Sequence, residues 1–355
     1  MQSSSNDKSV YLSVPFVANE AIELQERTAA ETETQPTWLP PRLARFKPQY
    51  AVSDAAVLAV QAVCSAHGLA HTECDALISA TLTPDYNNPG LVSCILAKLD
   101  WSGVPGLELK QGACGGHYAV QVARSLILSG RMERVLIVCA EGLSRFFGPD
   151  VLDPTFLERL APSAREAALR FADGAVALLV SSSPLTGSSV SFRLKDLELY
   201  SNADLSSAGT EWLRCELPSA NRFPIRMTEE DVAQGRHYPE WDFNRYVEAA
   251  SEALSLMLSK AFTDKECALP QNWIVHFCSR ELRERFAEHL NLSGMVLEDC
   301  AEQLGYVGAA GVFTQLSHFA ATIDLGSNAE LGLVTLSPGM TCSLMRLSVV
   351  KGDGS

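Results

Sequence analysis

Residues 112–141 read GACGGHYAVQVARSLILSGRMERVLIVCAE, and residues 304–337 read LGYVGAAGVFTQLSHFAATIDLGSNAELGLVTLS. Each runs from a glycine-punctuated turn through a helix into an apolar strand. A further apolar strand follows each, GAVALLVSS (174–182) and CSLMRLSVV (342–350), and each is preceded by another, DALISAT (75–81) and NWIVHFCS (272–279). The order of elements therefore begins again at about residue 186, which predicts a duplicated α/β half: 1–185, then 186–355 with an insertion at 200–245. Continuous Val/Ile/Leu runs predict strands covered on both faces, and their alternation with helices predicts a mostly parallel sheet. Two such halves, each with its own sheet, would stack in layers with equivalent helix N-termini facing one another across a pseudo-twofold axis.

Outward from this core, VYLSV (10–14) reads as a first strand, and the polar, Pro-punctuated stretch 26–48 as irregular cover. Ser53 is a candidate N-cap for the helix DAAVLAVQAVCSAH, with Gly68 at its C′ position.

The 355 residues carry 28 Lys plus Arg against 42 Asp plus Glu, a net charge of −14, which disfavours a nucleic-acid partner. At 47% hydrophobic and 20% charged the chain is no disordered protein. No apolar run approaches a membrane span, and the start lacks the pattern of a secretory leader, so a cytoplasmic protein is expected. Ten cysteines are present without a C-x-x-C or Cys/His cluster, so no metal site is expected. Most of them are expected to act as small buried hydrophobes, and nine of the ten to have no chemical role.

Cys114 stands apart. Gly112-Ala113-Cys114-Gly115-Gly116 lies between a strand and a helix, where glycines permit a tight turn and the helix N-terminus favours thiolate. A thiolate at such a turn suits attack on a thioester. His276, at the end of a buried strand, is a candidate base, with a satisfied core histidine as the alternative reading. His117, one turn after Cys114, either lines the site or packs.

These residues carry a family resemblance. Ala113-Cys114-Gly115-Gly116 and Phe171-Ala172-Asp173-Gly174-Ala175-Val176-Ala177 resemble the A-C-x-G and F-x-D-G-A-x-A motifs of the thiolase superfamily, in its β-ketoacyl-acyl carrier protein synthase III branch. The resemblance implies an αβαβα five-layer sandwich of two duplicated halves, with Cys114 acylated and His276 catalytic. It also implies a coenzyme A or phosphopantetheine thioester as substrate, no permanently bound cofactor, an acyl-CoA or acyl carrier protein partner, a small-molecule acceptor, and a homodimer, a heterodimer being the alternative. Trp38 and Arg42 reproduce a W-x-x-x-R spacing with which the family holds coenzyme A. Arg42, Arg45 and Lys47, and the run Arg280, Arg283 and Arg285, would offer an acidic carrier a basic patch.

The departures are as informative. The family's third catalytic residue, an Asn in a G-N-T/S turn, is replaced by Tyr306. The Gly-rich turn that completes the oxyanion hole reads Ser337-Pro338-Gly339-Met340-Thr341, and proline has no N–H to donate, leaving Gly339 as the expected donor beside Cys114. The resemblance therefore implies acyl transfer to a carbon nucleophile without malonyl decarboxylation, in specialised lipid or polyketide metabolism. The alternative is an acyltransferase making an ester or amide. An inactive partner subunit and a cysteine hydrolase are further alternatives, disfavoured respectively by retention of Cys114 and by the repeated second half.

Overall fold

The computed structural model describes residues 9–26, 39–147, 153–185, 190–202, 213–214, 229–233, 238, 240–241, 243–263, 269–292, 299–322 and 326–352. The strands are β1 (Tyr11–Ser13), β2 (Phe16–Val17), β3 (Ile22–Glu26), β4 (Arg42–Phe46), β5 (Ala76–Ala80), β6 (Gly106–Leu109), β7 (Arg134–Gly142), β8 (Asp173–Ser181) and β9 (Val190–Ser201). They continue as β10 (Leu213–Arg214), β11 (Glu240–Trp241), β12 (Asn272–His276), β13 (Glu330–Ser337) and β14 (Thr341–Lys351). The longer helices are α1 (Val52–His67), α2 (Leu91–Leu99), α3 (Gly115–Leu128), α4 (Phe243–Thr263), α5 (Arg280–His289) and α6 (Gly311–Thr322).

The duplication is visible in strand order. The first half runs β1-β8-β7-β5-β6 and the second β9-β14-β13-β12. The expectation of a separate sheet for each half is corrected: β1 pairs with β9, and the two join into one ten-stranded sheet. Nor is that sheet mostly parallel. Among the described residues, parallel pairing is confined within this sheet to β5–β6, β5–β7 and β12–β13, while β7–β8, β13–β14 and β14–β9 are antiparallel. The long apolar runs reflect burial on both faces, which helix layers impose on strands of either direction.

The two halves of the continuous sheet lie on either side of the middle helices α3 and α6, giving five layers whose interfaces are filled by three apolar clusters. Ala55, Ala59 and Val63 of α1 and Leu91 and Ile95 of α2 pack on Leu77, Val138 and Ala175. Val120 and Ala123 of α3 and Val312, Phe313 and Leu316 of α6 lie between Ile137 and Val176 of one half and Ile274, Leu333 and Met345 of the other. Tyr246 and Met257 of α4 and Leu282 and Phe286 of α5 cover Trp273, Val275 and Val334. Alternation along β12 shows how sequence selects the layer: Trp273 and Val275 face outward, and Ile274 faces the middle helices. Each fully buried Leu, Phe or Ile contributes about 1.5–3 kcal/mol, so the middle layer locks the halves together.

Two local readings are corrected. Residues 42–46, within the stretch read as irregular, form β4, which pairs with β3 in a two-stranded sheet and places Leu43 and Ala44 in the core. Ser53 is not the N-cap of α1. Ala51 is, its N–H bonded to Asp54 Oδ2, while Asp85 accepts the N–H groups of Val52 and Ser53. A carboxylate from another loop thus does the capping, and Gly68 closes the helix in the left-handed region (φ +60°) as expected. The segment 200–245 falls largely outside the described residues. No helix among the described residues is long and apolar enough to cross a membrane.

Candidate active site

Two equivalent turns face each other in the middle layer. Gly112–Cys114 enters α3 as a 3-10 turn, and Gly308–Ala310 enters α6 in the same way. Gly112 and Gly308 adopt φ +54° and +52°, the region that favours glycine. A Cβ on Gly112 would lie 2.8 Å from Ser337 Oγ, and one on Gly308 would lie 3.1 Å from Glu141 Cγ. The end of each half's strand thus reaches the other half's turn. In this correspondence Cys114 is matched by Ala310, so of the two turns only the first carries a thiol.

Cys114 is fully buried. Its sulfur lies 3.1 Å from the carbonyl oxygen of Thr341, 3.6 Å from that of Thr335, and 3.3 Å from Thr335 Oγ1. The helix N-terminus does not by itself produce an activated thiol. Burial pushes the Cys114 thiol up, opposed by hydroxyl contacts from Ser337, Ser343 and Thr335. The Cys114 N–H donates to Ser337 Oγ at 3.0 Å, and that hydroxyl donates to the carbonyl of Gln111 at 2.7 Å. Ser337 therefore holds the amide that the sequence reading gave to an oxyanion hole. Gly339, its expected partner, sits at the exposed β13–β14 turn with open space beside its Cα.

His276 ends β12 with its backbone in register with Thr335, the residue that touches the Cys114 sulfur. The sheet thus brings both sequence-predicted residues to neighbouring positions around Thr335. The imidazole is fully buried, and its Nδ1 lies 3.0 Å from Asp299 Oδ1. Asp299 also accepts the N–H groups of Phe277 and Ala301, the second at 3.0 Å. A carboxylate so held fixes the proton on Nδ1 and leaves Nε2 as the basic nitrogen, which has no hydrogen-bond partner among the described residues. A Cβ on Gly311 would lie 2.1 Å from Nε2, so a glycine at the start of α6 is what admits the ring. Tyr306 stacks flat on the imidazole, centroids 4.9 Å apart. It is 6% exposed, and burial holds its phenol well above the usual range.

Asp299 is the residue sequence reasoning missed. It lies 23 positions after His276 in a stretch without a motif, and only the fold brings the two together. His276, Asp299 and Cys300 place ligand-type atoms within 4.8 Å of one another, but the Asp299 oxygens are already occupied by His276 and two backbone amides.

His117 is buried, its Nδ1 2.8 Å from Ser343 Oγ. Arg42 is half-exposed beside Glu26, at 3.8 Å, and Trp38 lies outside the described residues. The expected basic patch does not form as read. Arg45 is buried, donating to the Phe171 carbonyl, Arg280 and Arg283 pair with Glu302, and Arg285 pairs with Glu281. These carboxylates neutralise the run that sequence alone presented as free charge.

The profile of 3-oxoacyl-[acyl-carrier-protein (ACP)] synthase III matches residues 107–202. The β-ketoacyl-[acyl-carrier-protein] synthase III 2 of Halalkalibacterium halodurans is 32% identical over 257 residues, covering 72% of this chain and 68% of that one. The β-ketoacyl-[acyl-carrier-protein] synthase III of Chlamydia caviae is 23% identical over 348 residues, 96% of this chain and 95% of that one. Among solved structures, Xanthomonas campestris OleA with bound lauric acid and lauroyl-CoA superposes with a TM-score of 0.75 at 14% identity, covering 96% of this chain and 99% of that one.

Proposed function

Because this chain belongs to the β-ketoacyl-[acyl-carrier-protein] synthase III family, we propose that it accepts an acyl group from a coenzyme A or acyl carrier protein thioester on Cys114 and passes it to a carbon nucleophile that needs no malonyl decarboxylation. The observation that carries the second part is Tyr306. In decarboxylative condensation two donors hold the enolate oxygen as carbon dioxide leaves, each contributing about 2–4 kcal/mol. Here the ring of Tyr306 lies on the face of His276 in the turn where the family has its Asn. A ring face offers no N–H to that oxygen.

In acylation the Cys114 sulfur bonds to the acyl carbon, the donor's carbon–sulfur bond breaks, and the departing thiolate takes the thiol proton. His276, its Nδ1 proton held by Asp299, presents Nε2 as a base. That pairing also favours a second reading: a His–carboxylate dyad suits deprotonation of a hydroxyl or amine acceptor, giving an ester or amide. Residues 1–185 and 186–355 are the duplicated halves, Gly339 and His117 border the site, Trp38 and Arg42 meet the carrier, and the protein works as a cytoplasmic homodimer.

Intact mass spectrometry after incubation with a panel of coenzyme A and carrier-linked acyl thioesters tests the reading. The expected result is an acyl mass gain absent from Cys114→Ala. No Cys114-dependent gain with any donor overturns acyl transfer, and carbon dioxide release from a malonyl thioester overturns the assignment of Tyr306. The product's linkage, carbon–carbon against ester or amide, decides between acceptors.

A further inference from the structure

A second polar set meets the sulfur of Cys114. Thr335 Oγ1 is 3.3 Å from Sγ, Ser343 Oγ is 2.7 Å from Thr335 Oγ1, and His117 Nδ1 is 2.8 Å from Ser343 Oγ. All four side chains are fully buried. Thr335 and Ser343 are cross-strand partners in the β13–β14 hairpin, and His117 sits three residues after Cys114, on the same face of α3. The other ring nitrogen of His117 has no hydrogen-bond partner among the described residues, and the ring packs edge-on against Phe313 at 5.9 Å, so the Ser343 contact is its polar one there.

We propose that His117, Ser343 and Thr335 form a chain of hydrogen-bond donors that favours negative charge on the Cys114 sulfur as it develops, against the Thr341 carbonyl that accepts from the thiol, with His117 a neutral positioning residue at the head of the chain. The inference rests on Cys114 being the acylated residue. Its direction follows from counting protons. Thr335 has one hydroxyl proton, and spending it on sulfur leaves Oγ1 to accept from Ser343, whose oxygen then accepts from His117 Nδ1–H. Burial pushes the His117 imidazole down to about 3, so it has a single N–H to give and acquires no charge. On acylation the sulfur's electron pair forms the bond to the acyl carbon and the departing thiolate carries off the proton. His117 neither gains nor loses one.

The other titratable groups around this thiol do not supply the stabilisation. Cys342 on β14, Tyr306 before α6 and Cys139 on β7 are all pushed up by burial and stay neutral. Glu141, pushed up to about 7, is tied to Leu82, Thr83 and Ala309, and as an anion it would raise the thiol. His276 is engaged with Asp299.

The test is a pH titration of thiolate absorbance near 240 nm, each protein read against its own Cys114→Ala counterpart so that only Cys114 contributes. Removing a link, by His117→Phe or Ser343→Ala, is expected to raise the midpoint by about one unit, equivalent to about tenfold less thiolate at fixed lower pH. His117→Asn, which restores an N–H near Nδ1, is expected to return it, an outcome that a packing role does not produce. Unchanged midpoints in His117→Phe and Ser343→Ala overturn the chain. Should His117→Phe fail to fold, the near-isosteric Thr335→Val reads the same link, and an unchanged midpoint there is equally decisive. A chain-dependent midpoint without acyl mass gain defeats the proposed acyl transfer alone, whereas acyl gain with unshifted midpoints defeats the chain alone.

Discussion

The imidazole of His276 and the phenol ring of Tyr306 lie face to face, centroids 4.9 Å apart and planes 3° from parallel. Tyr306 also packs against Phe171, at 6.2 Å, and its backbone N–H donates to the Arg170 carbonyl at 2.7 Å. The ring is thus part of the core as well as part of the site, and replacing it touches both stability and chemistry.

Tyr306→Asn is expected to lower the unfolding free energy by about 3 kcal/mol through the cavity it leaves. In the folded fraction it is expected to bring carbon dioxide release from a malonyl thioester above the level of the parent. Urea unfolding reads the first and a radiolabelled release assay the second. Release unchanged in a folded variant removes Tyr306 as the reason for its absence.

Asp299→Asn replaces the acceptor of His276 Nδ1–H with a group that can present an N–H to it. The wrong tautomer then points a proton out of Nε2. Acyl transfer from Cys114 to the acceptor is expected to slow by about 100-fold or more, while acyl loading of Cys114 falls much less. Single-turnover loading and transfer rates separate the two.

Gly311→Ala would set a methyl 2.1 Å from His276 Nε2. A core ring with no room to retreat makes this an overpacking substitution, expected to cost about 1–3 kcal/mol and to displace the imidazole, with transfer lost. Gly326→Ala, where a Cβ meets nothing within 4 Å, is the control and is expected to leave the melting temperature nearly unchanged. Thermal melts of the two variants make the comparison.

Glu141 links stability to pH. Burial pushes its carboxyl from 4.5 up to about 7, so the folded chain binds that proton more tightly than the unfolded chain does. Its contribution is therefore full below about pH 4.5 and is lost as pH rises to 7, by on the order of 3 kcal/mol. Glu141→Gln, which cannot ionise, is expected to flatten that part of the stability curve. Urea midpoints at pH 5 and pH 8 for both proteins check it; parallel shifts in the two would remove Glu141 as the source.

Cys114 could be singled out from sequence as a candidate because its pattern is local, glycines on either side and a helix behind them. His276 was legible for a similar reason, ending an apolar run that had to be a buried strand. The repeated order of elements likewise foretold five layers, since an apolar helix face and a strand covered on both sides have few ways to bury together.

Strand direction, and everything set by register, was decided only in three dimensions. Periodicity reports which face of a strand is buried but not which way its neighbour runs, and so the antiparallel β7–β8 and β13–β14 pairs were misread. Asp299 meets His276 across 23 residues, Ser337 meets the Cys114 amide across 223, and Thr335 and Ser343 face Cys114 because a hairpin aligns them. Such contacts depend on register and layer packing, which no local spacing encodes. The sequence by itself singled out Cys114 as the candidate nucleophile and showed how the halves repeat, because both are written in local pattern; the tertiary structure decided which donors surround that sulfur and that a tyrosine ring lies on His276, because both depend on register and layer packing.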